Sequence, residues 1–108
     1  MNYIWLDVET TGLDQIRNDI IQIGCVVTIN GEIKGTFNEY CQPINKDNID
    51  DTALAINGIT RSQIETFQSP KAMMGKFLDF MSKYDGKFVI AGYNVAFDRK
   101  FISAFFTK

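Results

Sequence analysis

The chain opens on a short apolar run, Tyr3-Ile4-Trp5-Leu6, that leads into Asp7-Val8-Glu9. Tyr3 to Glu9 is short, aromatic and β-branched, and Thr10-Thr11-Gly12 closes it, which predicts a strand. Ile20 to Ile29 predicts a second strand. Asn30-Gly31 follows it, a pair suited to a type I′ hairpin turn because both central residues need φ > 0. Ile33 to Tyr40 is then the antiparallel third strand, and Pro43 ends it.

The period then changes to that of a helix. Asp51 is the candidate cap of a short helix through Ala53, Leu54 and Ile56, closed by Gly58. Thr60-Arg61-Ser62-Gln63 fits a capping box. Ser69-Pro70 reads as a cap with proline at the first helical position. From there Met73, Met74, Phe77, Leu78 and Met81 predict a helix running to Tyr84, with Asp85-Gly86 as its stop. The methionines read as core filler. Lys87 to Ala91 predicts a fourth strand. Asn94 is the candidate cap of a last helix, with Phe97, Phe101 and Phe105 on one face. Phe101, Ile102, Phe105 and Phe106 predict apolar surface left on more than one side of it. The order β-β-β-α-β-α predicts an α/β fold, a mixed sheet with helices packed on it.

Composition narrows the classes. The 108 residues suffice for one domain, and 45% are hydrophobic. A formal net charge of −2 argues against a basic-groove nucleic-acid binder, though not against one that grips its substrate through cations. The absence of histidine removes imidazole base catalysis and His–Cys zinc sites. Cys25 and Cys41 read as reduced, buried thiols. The N-terminus shows no signal-peptide pattern and no run approaches a membrane span, so the expected setting is soluble and cytoplasmic.

The candidate chemistry begins at Asp7 and Glu9. Two residues apart on a strand, they point to one face, where they repel each other unless a cation lies between them. They stand at the C-terminal end of an apolar strand, where sites in such sheets usually lie. A tight turn with free amides and an apolar tip, Leu13, follows at once.

Asp7-Val8-Glu9-Thr10-Thr11-Gly12-Leu13 resembles the first motif of the DnaQ-like (DEDD) 3′–5′ exonucleases, the group that includes the proofreading exonuclease subunit of bacterial DNA polymerase III. Ala53 to Thr60 resembles the family's segment before its long helix, with Asn57 where a histidine is common. Ala91-Gly92-Tyr93-Asn94-Val95-Ala96-Phe97-Asp98 resembles its second motif, with Tyr93 at another frequent histidine position.

The resemblance implies a ribonuclease-H-like fold and hydrolysis of terminal phosphodiesters of single-stranded nucleic acid, DNA before RNA. It implies two divalent cations, Mg²⁺ or Mn²⁺. Asp7 would bridge both, Glu9 would bind the ion carrying the attacking water, and Asp98 would bind the second. Thr10, Thr11 and Gly12 would offer backbone contacts to the terminal nucleotide, with Leu13 against its base. Asn57, Tyr93 and Asn94 would also fall on the substrate side, Asn94 helping to orient the helix that presents Asp98. Phe97 reads as core.

The family's third motif, with a fourth aspartate and a histidine or tyrosine base, has no counterpart. Arg99 to Lys108 contains no acid, His or Tyr. Residues 1–108 are therefore expected to form one exonuclease-like domain incomplete at its C-terminal end. A longer parent, a shortened relative, or a completing chain (a homodimer or split partner) would each explain it. A DNA polymerase is the other partner implied. The alternative function is an inert nucleotide-binding or assembly module.

Overall fold

The computed structural model describes residues 1–108. The chain runs β1 (Asn2–Thr10), β2 (Ile20–Ile29), β3 (Glu32–Tyr40), α1 (Asp51–Asn57), α2 (Arg61–Glu65), α3 (Pro70–Met81), β4 (Val89–Ala91) and α4 (Val95–Thr107). One mixed sheet orders the strands β3-β2-β1-β4, which puts the acid-bearing strand inside it. β1 pairs antiparallel with β2 and parallel with β4, in the register Leu6↔Cys25 and Trp5↔Ala91.

Strand alternation decides which face is covered. Leu6 and Val8 lie on the same face as Ile23, Cys25 and Val27. That face packs against Met73, Phe77 and Phe80 of α3 and Phe101 and Phe105 of α4. A smaller cluster of Ile21, Leu54, Ile59 and Ile64 seats α1 and α2 at one end of the sheet. The other face carries the exposed side chains of Trp5, Asp7, Thr36 and Asn38.

Local signals placed most boundaries. Asn30 and Gly31 both adopt positive φ, 51° and 83°, as a type I′ turn requires. The capping box of Thr60 and Gln63 is present, and the Ser69 hydroxyl accepts the N–H of Ala72. Both cysteines are free and buried, and burial pushes their thiols up to about 11 for Cys25 and about 12 for Cys41.

Four expectations need correction. Asp50, rather than Asp51, caps α1, its carboxylate accepting the N–H of Thr52 at 3.0 Å. The helix α3 ends at Met81, because Tyr84 turns away to pack on Phe80 and donate its hydroxyl to the Lys34 carbonyl. On that helix the methionines do fill the core, Met73 wholly buried and Met74 and Met81 at its edge, while Leu78 faces solvent, 57% exposed. The fourth strand is only Val89–Ala91, since Lys87 and Phe88 precede the point where the chain meets β1. The aromatic surface of α4 is not left bare. Phe101 and Phe105 are buried, Ile102 and Phe106 pack on the core, and Phe106 lies 6.1 Å from the Phe77 ring of α3.

Candidate carboxylate site and flanking grooves

The alternation that buries Leu6 and Val8 sends Asp7 and Glu9 to the opposite face of β1, Asp7 exposed and Glu9 half-buried. β1 pairs with β4 only as far as Trp5↔Ala91, so beyond that point its outer edge lacks a strand partner. The turn after β4 fills the gap. A Cβ on Gly92 would stand 2.5 Å from the Leu6 carbonyl oxygen, so the two backbones touch there and only glycine fits. α4 starts immediately after this turn. Its first-turn Asp98 is 4% exposed, and its carboxylate lies on the side of the Val8 N–H at the bare edge.

The three carboxylates feel one another. Burial, then the charge of Asp7, raises the Asp98 carboxyl to about 6, with the Val8 N–H opposing the shift. Burial, then Asp7, then Asp98, raises Glu9 in the same direction. None of the protein's four ion pairs involves these acids, so no Lys or Arg balances them. Hard carboxylate oxygens with a shared excess of negative charge suit a divalent cation such as Mg²⁺ or Mn²⁺. No three side chains converge as ligands on one point, however, so the donors are grouped electrostatically rather than gathered into a coordination shell.

The loop after β1 is tied down from several sides. Pairing with β2 shifts between Glu9 and Thr10. Thr10 donates its hydroxyl to the Gly12 carbonyl at 2.6 Å. Thr11 N–H donates to the Asp19 carbonyl, the Thr11 hydroxyl accepts the Asp19 N–H, and the Thr11 carbonyl accepts the Asp50 N–H. Asn18 packs where any Cβ on Gly12 would fall, and donates to the Asn48 carbonyl at 2.9 Å. Leu13 is left projecting, 79% exposed. From the last residue of α1, Asn57 Nδ2 donates to the Thr10 carbonyl at 2.9 Å.

These bonds revise the expected substrate contacts. The N–H, hydroxyl oxygen and carbonyl of Thr11 each take a partner within the chain, so it holds the loop. The amides of Gly12 and Leu13 take no partner within the chain. Asn57 spends its amide nitrogen on the backbone of β1. Asn94 makes no side-chain cap. Its carbonyl accepts the Asp98 N–H at 3.2 Å, and its side chain is exposed. Tyr93 is fully exposed beside Trp5 and Asp7.

Two grooves meet the carboxylates. One, about 170 Å³, is walled by Glu9, Gly12, Leu13, Ile56, Asn57 and Phe97. Phe97 therefore shows part of its ring to this groove while stacking on Phe101 at 4.7 Å. The other groove, about 680 Å³, lies on the open sheet face between Trp5, Asp7, Val26, Asn38 and Tyr93. Sequence reasoning passed over Trp5, although its spacing from Asp7 puts both on one face.

It also passed over Asp19. That carboxylate is 1% exposed and accepts from Lys108 Nζ and from the Asn45 N–H, each at 2.7 Å. Lys108 Nζ donates to the Asn18 carbonyl as well, so the end of α4 is anchored to the loop that carries Leu13. A lone acid before Ile20-Ile21 was the only trace of this in the sequence.

A family model described as exonuclease (RNase_T) matches residues 4–108. The PolC-type DNA polymerase III of Latilactobacillus sakei is 31% identical over 102 residues, covering 94% of this chain and 7% of that protein. The PolC-type DNA polymerase III of Clostridium perfringens is 32% identical over 100 residues, covering 93% and 6%. The chain thus spans about 7% of the length of such relatives. Among solved structures, E. coli Exonuclease I in complex with a dT13 oligonucleotide superposes with a TM-score of 0.83 at 23% identity, covering 98% of this chain and 23% of that one. The nuclease domain of 3′hExo, a DEDDh family member bound to rAMP, gives 0.78 at 22%, covering 98% and 58%. The shared feature is the mixed four-stranded sheet with helices packed on it, a ribonuclease-H-like exonuclease fold.

Proposed function

Because the chain belongs to the RNase_T exonuclease family, a DnaQ-like group, we propose that it carries the carboxylate part of a metal-dependent 3′–5′ exonuclease site for single-stranded nucleic acid, DNA in preference to RNA. The observation that carries this reading is the delivery of Asp98 by α4 into the field of Asp7 and Glu9, with no basic side chain to offset the three. That both relatives are DNA polymerases, and that Exonuclease I was solved with an oligodeoxynucleotide, supports the preference for DNA and a role beside a polymerase.

Asp7, Glu9 and Asp98 would hold two divalent cations, Mg²⁺ or Mn²⁺. Bound there, the ions would supply an activated water and charge neutralisation at the scissile phosphate, as a pair ~4 Å apart does in such sites. The protein's own part is separate from that chemistry. The groove between Leu13 and Ile56 receives the sugar and base of the terminal nucleotide. The free Gly12 and Leu13 amides donate to it, and the Asn57–Thr10 bond holds β1 in register beneath it.

The alternative is an inert nucleotide-binding module, and the lack of three convergent ligands favours it. The two separate in one experiment. Calorimetric Mn²⁺ titration and shortening of a 5′-labelled oligonucleotide are measured on the chain and on Asp7→Asn. The exonuclease reading expects both signals, and their loss in the variant. Mn²⁺ binding without any shortening selects the module, and neither signal would defeat the exonuclease reading.

A further inference from the structure

We propose that a second nucleotide subsite lies along α4, and that Lys100 there binds the phosphodiester backbone one or more steps 5′ of the terminal nucleotide. This rests on the exonuclease reading above and extends it to a part of the surface that neither the motif residues nor the carboxylates occupy.

A groove of about 440 Å³ runs between the loop after β1 and the outer side of α4, walled by Gln15, Ile16, Lys100, Ala104 and Thr107. Its two walls are the next stretches of the same loop and the same helix that line the terminal-nucleotide groove. On the helix, Phe97, Lys100, Ala104 and Thr107 follow one another at three- and four-residue spacing and so form a single face. Phe97 lines the first groove, and the next three line the second. On the loop, Gly12 and Leu13 line the first groove while Gln15 and Ile16 line the second. Leu13, 79% exposed, is the lining residue of the first groove nearest in sequence to the second. From Phe97 to Thr107 the path is roughly 15 Å at helical rise, longer than one nucleotide requires.

The chemistry of this groove complements a nucleic-acid strand where the carboxylate site does not. Lys100 takes part in none of the four ion pairs, and its ammonium sits 6.0 Å from the Phe97 ring, at the junction of the grooves. Lys108, the other cation on this wall, is neutralised by Asp19. On the loop wall the adjoining acid, Asp14, faces its own backbone, accepting the Ile16 N–H at 2.9 Å. One uncompensated cation therefore faces the groove. Opposite stands Ile16, 77% exposed on a loop pinned by Asp14 and Asn18. A large aliphatic side chain held out in water on a fixed loop offers an apolar shelf to a base, while the ammonium meets the phosphate. Affinity for single strands combines these two contacts.

The test compares thymidine 5′-monophosphate with a labelled short oligothymidylate in Ca²⁺ buffer, using the intact chain, Lys100→Ala, Lys100→Arg and Ile16→Ser. Both positions are exposed, and matching circular dichroism and melting curves confirm that the variants fold. The proposal expects unchanged mononucleotide binding in every variant. For the oligomer it expects weaker binding in Lys100→Ala and Ile16→Ser, with Lys100→Arg restoring affinity. The slope of log K against log salt should fall by about 0.7 in Lys100→Ala, the loss of one phosphate contact on a single strand. Oligomer binding and salt slope equal to wild type in Lys100→Ala would overturn the subsite while leaving the exonuclease reading intact. Loss of mononucleotide binding in Lys100→Ala would assign Lys100 to the terminal site and also overturn it. Failure of the unmodified chain to bind either ligand would remove both proposals.

Discussion

Replacing Lys108 by methionine removes the only charge facing the buried carboxylate of Asp19. The Asp19 side chain is 1% exposed and that of Lys108 21%, so the anion is sealed while its partner is reached by water on one side. In the variant the Asn45 N–H at 2.7 Å remains as the sole hydrogen bond to that carboxylate from the chain. Stranding a charge inside a protein costs about 3–5 kcal/mol when burial is complete. The partial exposure of Lys108 lowers this to about 2–3 kcal/mol, because water can enter where the ammonium was. For a domain of this size each kcal/mol moves the melting temperature by roughly 4–8 °C, so a fall of about 10–20 °C is expected. Urea unfolding followed by circular dichroism measures the loss, and an unchanged m-value would show that the unfolded state is not its origin. Asp19→Asn should cost less, since the stranded ammonium can turn to solvent. A double-mutant cycle over both positions should therefore show a coupling above about 1 kcal/mol. A Lys108→Met midpoint within about 0.5 kcal/mol of wild type would refute the reasoning, because that is how an exposed pair behaves.

Two further outcomes follow from the site. Asp98 ionises at about 6 in the folded chain against an ordinary 3.8, so the fold favours its protonated form. Metal-free stability attributable to Asp98 should be greatest below about pH 4, fall as the pH rises to about 6 and then level off. The difference between wild type and Asp98→Asn in urea midpoint against pH isolates this contribution, and Mn²⁺ affinity should rise over the same interval as the proton ceases to compete. Gly92→Ala brings a Cβ within 2.5 Å of the Leu6 carbonyl oxygen and should cost about 1–3 kcal/mol and weaken Mn²⁺ binding by displacing Asp98. Gly24→Ala, which meets the Asp7 carbonyl oxygen at 3.5 Å, should be tolerated, so equal melting temperatures for the two variants would contradict the close approach.

What could be read in advance was whatever a few neighbouring residues decide. The Asn30-Gly31 turn, the Thr60 box, the Ser69-Pro70 start and the facing of Asp7 with Glu9 all depend on local backbone preference or on strand alternation. The misreadings arose where distant residues take over. Tyr84 leaves its helix for the Lys34 carbonyl, fifty positions away in sequence. Phe101, Phe105 and Phe106 look unpartnered on a helical wheel, yet α3 and the sheet cover them. Thr11 sits in a recognisable motif, but its role is set by Asp19 and Asp50, which no short window joins to it. The Asp19–Lys108 pair spans 89 positions and lacked any pattern by which to find it.

That separation also bears on the order in which the molecule is made. β1, β2 and β3 follow one another along the chain and can zip together through short connections, whereas the parallel join of β1 to β4 must wait for a long crossover to close. Until Val89–Ala91 arrive, β1 has a raw outer edge, and Asp7 and Glu9 stand beside it without Asp98. The grouping of acids therefore depends on the join of β1 to β4 and on α4 staying docked behind it. A half-folded chain carries the sequence motif of the exonuclease family but not the grouping of Asp7, Glu9 and Asp98.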